Sequence, residues 1–463
     1  MFRDDILRGP LFIGAFSLAT LIWLQFAPFL HGYFLTADDV LFHYIAITST
    51  PVEWLETAWK TAVWKAKLGE LSAIPLAVLG NSGIESLVVR ILNVGLFLSG
   101  LAMFAAYLGV LFGRSFGVLA GIFIVALSPL HFFHMTPTSY PLHLSPQIIL
   151  GFGCLIALRH LPADEQHRIR RLAVCLLLFL ALASSEYTMF FIGAAALFDA
   201  GIACAGSKTR LRTLSTDPRA WIVVLAFLTH ILFQKTIGTG SYNAMSGQGQ
   251  LLAIVKVQFW HSLNGVILGP AALESLSANV LPNTASEVLR AIGIGAATFI
   301  CTLIALTRSQ LRRSDLYLLI GLCLLVILCL TLPIALLQKY RDWCTSPRQC
   351  IYLDSRYAGW AVAVILGGVA AAMSHRRVAR ISWSAGLALF AVISALHNTH
   401  VSERMVEARA PWRIATDALC REARAWDSFL TSRTADQIPF HVTDTRTRQD
   451  YWIAWARVQD CGN

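Results

Sequence analysis

Apolar residues recur along this chain in long runs, near 10–30, 86–112, 116–134, 142–159, 172–185, 188–206, 219–237, 290–307, 317–337, 357–374 and 383–399. About 20 mostly apolar residues in a helix cover the hydrocarbon of a bilayer. The pattern therefore predicts a polytopic all-α protein with about eleven spans. The polar residues between the runs are sorted. Under this count Arg114, "RHLPADEQHRIRR", "KTRLR" with Arg219, "RSQLRR" and "SHRRVAR" all fall on one face. Short basic connections mark the cytoplasmic side, which puts the amino terminus inside and the carboxyl terminus outside. The other face receives a first loop over 31–85, short links near Pro137 and Glu186, loops over 238–289 and 338–356, and a tail over 400–463.

Composition agrees with the pattern. The 463 residues are 56% hydrophobic and 14% charged, with a mean hydropathy of +0.60, which excludes an ordinary soluble enzyme. The net charge of +10 sits between apolar runs rather than in a stripe interleaved with exposed aromatics, so it is a topology signal and not a nucleic-acid surface. The first run lacks a small-x-small cleavage pattern and is expected to remain as the first span. Cys344 and Cys350 share one outer loop, Cys420 and Cys461 share the tail, and the other six cysteines lie in apolar runs. Two disulfides in an oxidising compartment are predicted, the alternative being four free thiols. The tail reads as a helix, a strand in "IPFHVTD" and an aromatic segment. It predicts a small cap, stapled because so short a unit has little core of its own.

The inner connections are short and carry no phosphate-cradling glycine motif, so any active site is expected on the outer face. Soluble nucleotide sugars and ATP are absent there, and a group transfer would draw on a lipid-linked donor. In "TADDVLFH" Asp38 and Asp39 follow the first run closely enough to take a proton from a hydroxyl at the membrane surface. The alternative is a solvated cap on the helix "VLFHYIAI". Trp54, Trp59 and Trp64, interleaved with Lys60, Lys65 and Lys67, predict an interfacial helix that either holds an anionic headgroup or simply anchors the loop. His31, His43, His131, His134 and His143 lie on this face without a tight metal-ligand pair at helical spacing. His43, four residues after Asp39, is placed to hydrogen-bond it.

Four pieces in order, "TADDVLFH", "SAIPLAVLGNSGIESLVVRILNVGLF", "GRSFGVLAGIFIVALSPLHFFHMTPTSYPLHLSPQIILGFGCLIALRH" and "SRYAGWAVAVILGG", resemble the integral-membrane GT-C glycosyltransferases. Within that group the chain is most similar to polyprenyl-phosphate-sugar-dependent bacterial enzymes, such as serotype-converting glucosyltransferases and the aminoarabinose and mannosyl transferases. The likeness is most detailed over 10–200 and returns near 350–374.

The resemblance implies a GT-C bundle in the bacterial inner membrane that moves a sugar, with inversion, from a polyprenyl-phosphate donor to an envelope glycan, lipid or protein. A sugar-lipid synthase and a flippase would act upstream. It makes Asp39 or Asp38 the catalytic base and Arg90 a phosphate contact, with snorkelling to the interface as the alternative for Arg90. Arg356 and Tyr357 would hold the lipid phosphate at the mouth of a span, or anchor at the interface. Where some relatives carry lysine this chain has Ile74, so Lys65 or Lys67 would supply that charge, with Lys235 and Arg341 as further cations. A second carboxylate found in many relatives is replaced by a stretch with Tyr140 and His143, for which Glu186 could compensate. A divalent cation is therefore doubtful. An O-antigen polymerase or ligase, and a lipid-linked-sugar transporter or flippase, are the competing readings.

Overall fold

The computed structural model of the chain describes residues 2–31, 37–84, 86–131, 137, 142, 144–162, 165–205, 215, 217–239, 251–273, 284–408, 414, 417–418, 420–432 and 452–453. The chain runs from α1 (Phe2–His31) into three short helices, α2 (Ala37–Thr48), α3 (Pro51–Lys65) and α4 (Glu70–Asn81). It continues through α5 (Leu87–Phe112), α6 (Arg114–Leu127), α7 (Ser145–His160), α8 (Arg168–Ala183), α9 (Glu186–Ala205) and α10 (Pro218–Thr236). Then come α11 (Leu251–Asn264), α12 (Ala285–Arg308), α13 (Arg313–Leu336), α14 (Gln338–Trp343), α15 (Leu353–Met373), α16 (Arg377–Ala408) and, in the tail, α17 (Ala423–Leu430). No strand occurs among the described residues.

Every apolar run falls on a helix. Among the described residues seven stretches are long and apolar enough to cross a membrane: Ile13–His31, Leu87–Phe112, Glu186–Ala205, Ala285–Arg308, Arg313–Leu336, Leu353–Met373 and Arg377–Glu407. The other four runs lie on α6, α7, α8 and α10, of 14, 16, 16 and 19 residues. The core forms where α5, α7, α9 and α15 bring Phe104, Phe152, Phe191 and Trp360 together, with ring centroids 5.1 Å apart for Phe104–Phe152 and 5.3 Å for Phe104–Phe191.

Helix α6 stops early for a local reason. Ser128 precedes Pro129, and proline pushes the residue before it out of the helical region. The run read as 116–134 therefore leaves the helix after Leu127, and residues 128–131 are non-helical and buried. Irregular backbone at such depth must find partners inside the protein, and α1 and α16 provide them. The Ser128 carbonyl accepts from Gln25, Ser394 and Asn398, at 3.4, 3.1 and 3.2 Å. Leu130 donates its N–H to Asn398 Oδ1 at 2.5 Å, and its carbonyl lies 2.7 Å from His397 Nε2.

Three segments read as loops or tail differ from expectation. The first outer loop is a helical platform. Thr50 and Glu53 cap α3 reciprocally (Thr50 N–H to Glu53 Oε2, 2.6 Å), Pro51 opens the helix, and Ala58 and Ala62 are its buried face. Val52, Leu55, Trp59 and Trp64 are exposed, whereas Trp54 turns inward and donates to the Ser49 carbonyl at 3.1 Å. The 238–289 stretch is not simply a loop. It contains α11, followed by a buried segment whose Val266, Ile267 and Ala272 pack into the core. Ile267 N–H donates to the Leu127 carbonyl at 2.9 Å, at the end of α6. Here Gly265 and Gly359 meet backbone to backbone: a Cβ on Gly359 would lie 2.5 Å from the Gly265 Cα, so neither position has room for a side chain. Finally, α16 passes the expected boundary at 399 and ends at Ala408. In the tail Trp452 is buried edge-on against Phe429, 4.9 Å between centroids, while "IPFHVTD" lies outside the described residues.

The helix connections gather at two ends of the bundle. One end carries Arg114, Arg159, Arg171, Arg219, Arg308, Arg312, Arg313, Arg376 and Arg377 and is called the basic end here. The other collects α2–α4, residues 128–131, the 184–186 link, 238–239, α11 and the 344–352 segment, and is called the loop end.

Candidate functional site

The loop end holds a buried polar layer. Asp39, in the first turn of α2, is 1% exposed, so it is not a solvated cap. Asn81, in the last turn of α4, donates to Asp39 Oδ1 at 3.4 Å and to the Ala77 carbonyl at 2.9 Å. His43, one helical turn beyond Asp39, is buried, and burial lowers its pKa to about 4, leaving a neutral imidazole at pH 7. The side chain of Asp38 lies outside the described residues, as do Tyr140, His143 and Cys461.

From α4 the layer passes to α5. Asn93 donates to the Gly80 carbonyl at 3.1 Å. Arg90, Asn93 and Phe97 follow at helical spacing, which puts all three on one face of α5. The Phe97 ring then meets Arg356, whose guanidinium carbon is 5.9 Å from the centroids of both Phe97 and Phe29. Arg356 and Tyr357 are each 0% exposed, which rules out simple interfacial anchoring for either. Tyr357 packs its ring against Phe191 and Trp360, at 5.7 and 5.0 Å. Two buried imidazoles, His131 and His397, stand 5.9 Å apart nearby and both experience the Arg356 charge.

The remaining expected cations lie on other elements of the loop end. Lys65 is paired with Glu70 at 3.0 Å. Thr239 N–H bonds the Val63 carbonyl at 2.9 Å, bringing the end of α10, with Lys235, against the end of α3, with Lys65 and Lys67. Glu186 opens α9 beside Gly69 and lies 4.0 Å from His230. Ser72 Oγ donates to the Ser184 carbonyl at 2.5 Å, fixing the start of α4 to this second group. Ser72 and Asn81 are separated by about 14 Å along α4 at 1.5 Å per residue, so the Lys65–Glu70 pair sits by the start of α4 and the Asp39–Asn81 contact by its end. Arg341 donates to the Ala335 and Leu336 carbonyls, at 3.1 and 2.7 Å, and so closes the end of α13.

Several residues of the layer were not singled out from sequence. His261 Nδ1 lies 3.0 and 2.9 Å from the two Asp354 oxygens, with both residues buried, and this pins α11 to the first turn of α15, two residues before Arg356. Asn264 is fully engaged. Its Nδ2 donates to the Pro347 and Cys350 carbonyls at 2.7 and 2.9 Å, its Oδ1 accepts from Ala271 N–H at 3.1 Å, and its carbonyl is 2.8 Å from His131 Nε2. Cys344 and Cys350 form the expected disulfide, which closes the loop that Asn264 grips. Cys420 is also disulfide-bonded. An acidic residue beside a span was a legible signal for Asp354, whereas His261 and Asn264 were hidden by reading 238–289 as a loop.

Chemically, the layer offers a buried carboxylate, a neutral imidazole, a buried guanidinium and a phenol at one end of an apolar bundle. Among the described residues no three His, Cys, Asp or Glu side chains converge as metal ligands. No protein-family model, no curated protein and no solved structure matches this chain.

Proposed function

We propose that the chain is an inverting GT-C type glycosyltransferase that uses a polyprenyl-phosphate sugar at the loop end. Asp39 takes the proton from an acceptor hydroxyl, the acceptor oxygen bonds the anomeric carbon, and the bond from that carbon to the lipid phosphate oxygen breaks. The departing phosphate gains negative charge, which Arg356 and Arg90 neutralise and Tyr357 hydrogen-bonds in this reading. The observation that carries the reading is a buried carboxylate, Asp39, and a buried guanidinium, Arg356, in an otherwise apolar bundle. Burying ionisable groups is costly, and such groups concentrate where chemistry uses them. His261 and Asp354 act as positioning residues for the start of α15. In this reading α6, α7, α8 and α10 complete about eleven crossings, the basic end faces the cytoplasm, residues 400–463 form an outer cap, and the acceptor is an envelope glycan, lipid or protein.

The test is a purified full-length assay with a panel of polyprenyl-phosphate sugars. Wild-type protein should release polyprenyl phosphate, and Asp39→Asn should reduce that release by about 100-fold or more while folding normally. Donor that crosses the membrane chemically unchanged would identify a flippase instead, and wild-type turnover by the Asn variant would remove Asp39 from catalysis.

A further inference from the structure

The basic end contains two clefts of opposite electrostatic character. In one, of about 490 Å³, the arginines are neutralised from within. Arg159 and Arg219 both bind the buried Asp199, at 2.8 Å from Arg159 Nε and 2.6 Å from Arg219 Nη1, and Arg219 also binds Asp217 at 2.5 Å. The other, of about 630 Å³, lies between the start of α13 and the end of α15 and is lined by Arg312, Arg313, His375, Leu316, Tyr317 and Met373 among others, with no carboxylate in its wall. Among the described residues neither Arg312 nor Arg313 pairs with an acid. The nearest carboxylate in sequence, Asp315, bonds Ser314 at 3.4 Å.

The apolar floor of the second cleft continues onto the outside of the bundle. Tyr317, 71% exposed, shares one face of α13 with Leu324 and Leu328, 49% and 52% exposed, at spacings of seven and four residues. An anion held by the two arginines would therefore have an apolar stripe directly beneath it, running toward the middle of a membrane-crossing helix. A small soluble anion has no use for that stripe; a phospholipid needs both parts. We propose that this cleft binds the phosphodiester headgroup of an anionic phospholipid, with its acyl chains along Tyr317, Leu324 and Leu328. The inference rests on the membrane-spanning character of the helices and is independent of glycosyl transfer.

Native mass spectrometry of the full-length protein, titrated with phosphatidylglycerol, phosphatidylcholine or soluble glycerol phosphate, tests it. Phosphatidylglycerol adducts should be retained well beyond those of the zwitterionic lipid or of glycerol phosphate. Arg312→Gln/Arg313→Gln should weaken phosphatidylglycerol retention about 30-fold, taking each arginine near the surface as about fivefold. Arg376→Gln/Arg377→Gln removes equal charge a few residues away, outside the lining, and should cost far less. Equal losses from the two double variants, or unchanged retention in the first, would overturn the proposal. So would glycerol phosphate binding as well as the lipid. If the first double variant does not accumulate, the single variants carry the test at about fivefold each.

Discussion

At the basic end the arginines stand at the ends of helices, partly exposed, and those that are paired meet carboxylates on neighbouring helices, as Arg159 and Arg219 meet Asp199. At the loop end the polar side chains are buried, and most bind backbone: Asn398, His397 and Ser394 hold residues 128–130, and Asn264 holds the disulfide loop. The contrast separates two uses of polarity in an apolar chain. Charges at the basic end are partly exposed arginines, and where they meet a buried carboxylate, as at Asp199, two of them share its neutralisation. Polar groups at the loop end replace water for backbone that has left its helix, where a missing partner leaves a buried group unsatisfied.

That difference can be broken by substitution. His261→Ala would strip the buried Asp354 side chain of its imidazole hydrogen bond, and leaving a buried acid without its partner costs about 3 kcal/mol. A large drop in thermal midpoint in detergent or nanodiscs is expected. Asn398→Ala removes a donor to the Ser128 carbonyl and the acceptor for Leu130 N–H, and should cost about 2 kcal/mol. Arg159→Gln, at the partly exposed rim of the basic end, should cost about 1 kcal/mol or less, because Arg219 still neutralises Asp199. Melting curves in which Arg159→Gln matched His261→Ala would erase the distinction between the two ends.

The smallest effect is a pH dependence. Burial holds the folded pKa of His43 near 4 while the unfolded chain keeps the ordinary value of 6.5. The unfolded state therefore binds more protons between those values, and stability falls as pH drops from about 6.5 toward 4. Between pH 7 and pH 6 this amounts to under about 1 kcal/mol. His43→Gln should flatten that slope, and an unchanged slope would show that His43 does not titrate as its burial implies.

The helices were legible because a run of apolar residues is a direct record of burial or lipid contact, and each of the eleven runs contains a helix. Asp39 stood out as an ionisable group beside a span, whereas Arg356 and Tyr357 were singled out only through the family resemblance. What the runs concealed was polarity inside them. "SPLH" breaks α6 at Ser128, yet its flanks are apolar enough to read as one span. The 251–264 helix has no long apolar run, and so His261 and Asn264 stayed hidden until their partners 83 to 93 residues away were known. The packing of the end of α10 against the end of α3 depends on how the first loop folds back, which residue spacing does not encode.

The meeting of Gly265 and Gly359 has a mechanical consequence. Where side chains separate two helices they can yield by changing rotamer, but here, as where Gly117 of α6 meets Gly109 of α5, two backbones touch with nothing compliant between them. Residues 344–350, locked by their disulfide and gripped by Asn264, are thus connected through a stiff joint to the turn of α15 that carries Arg356. A change in the position of that loop therefore has no soft side chain to take it up before the start of α15.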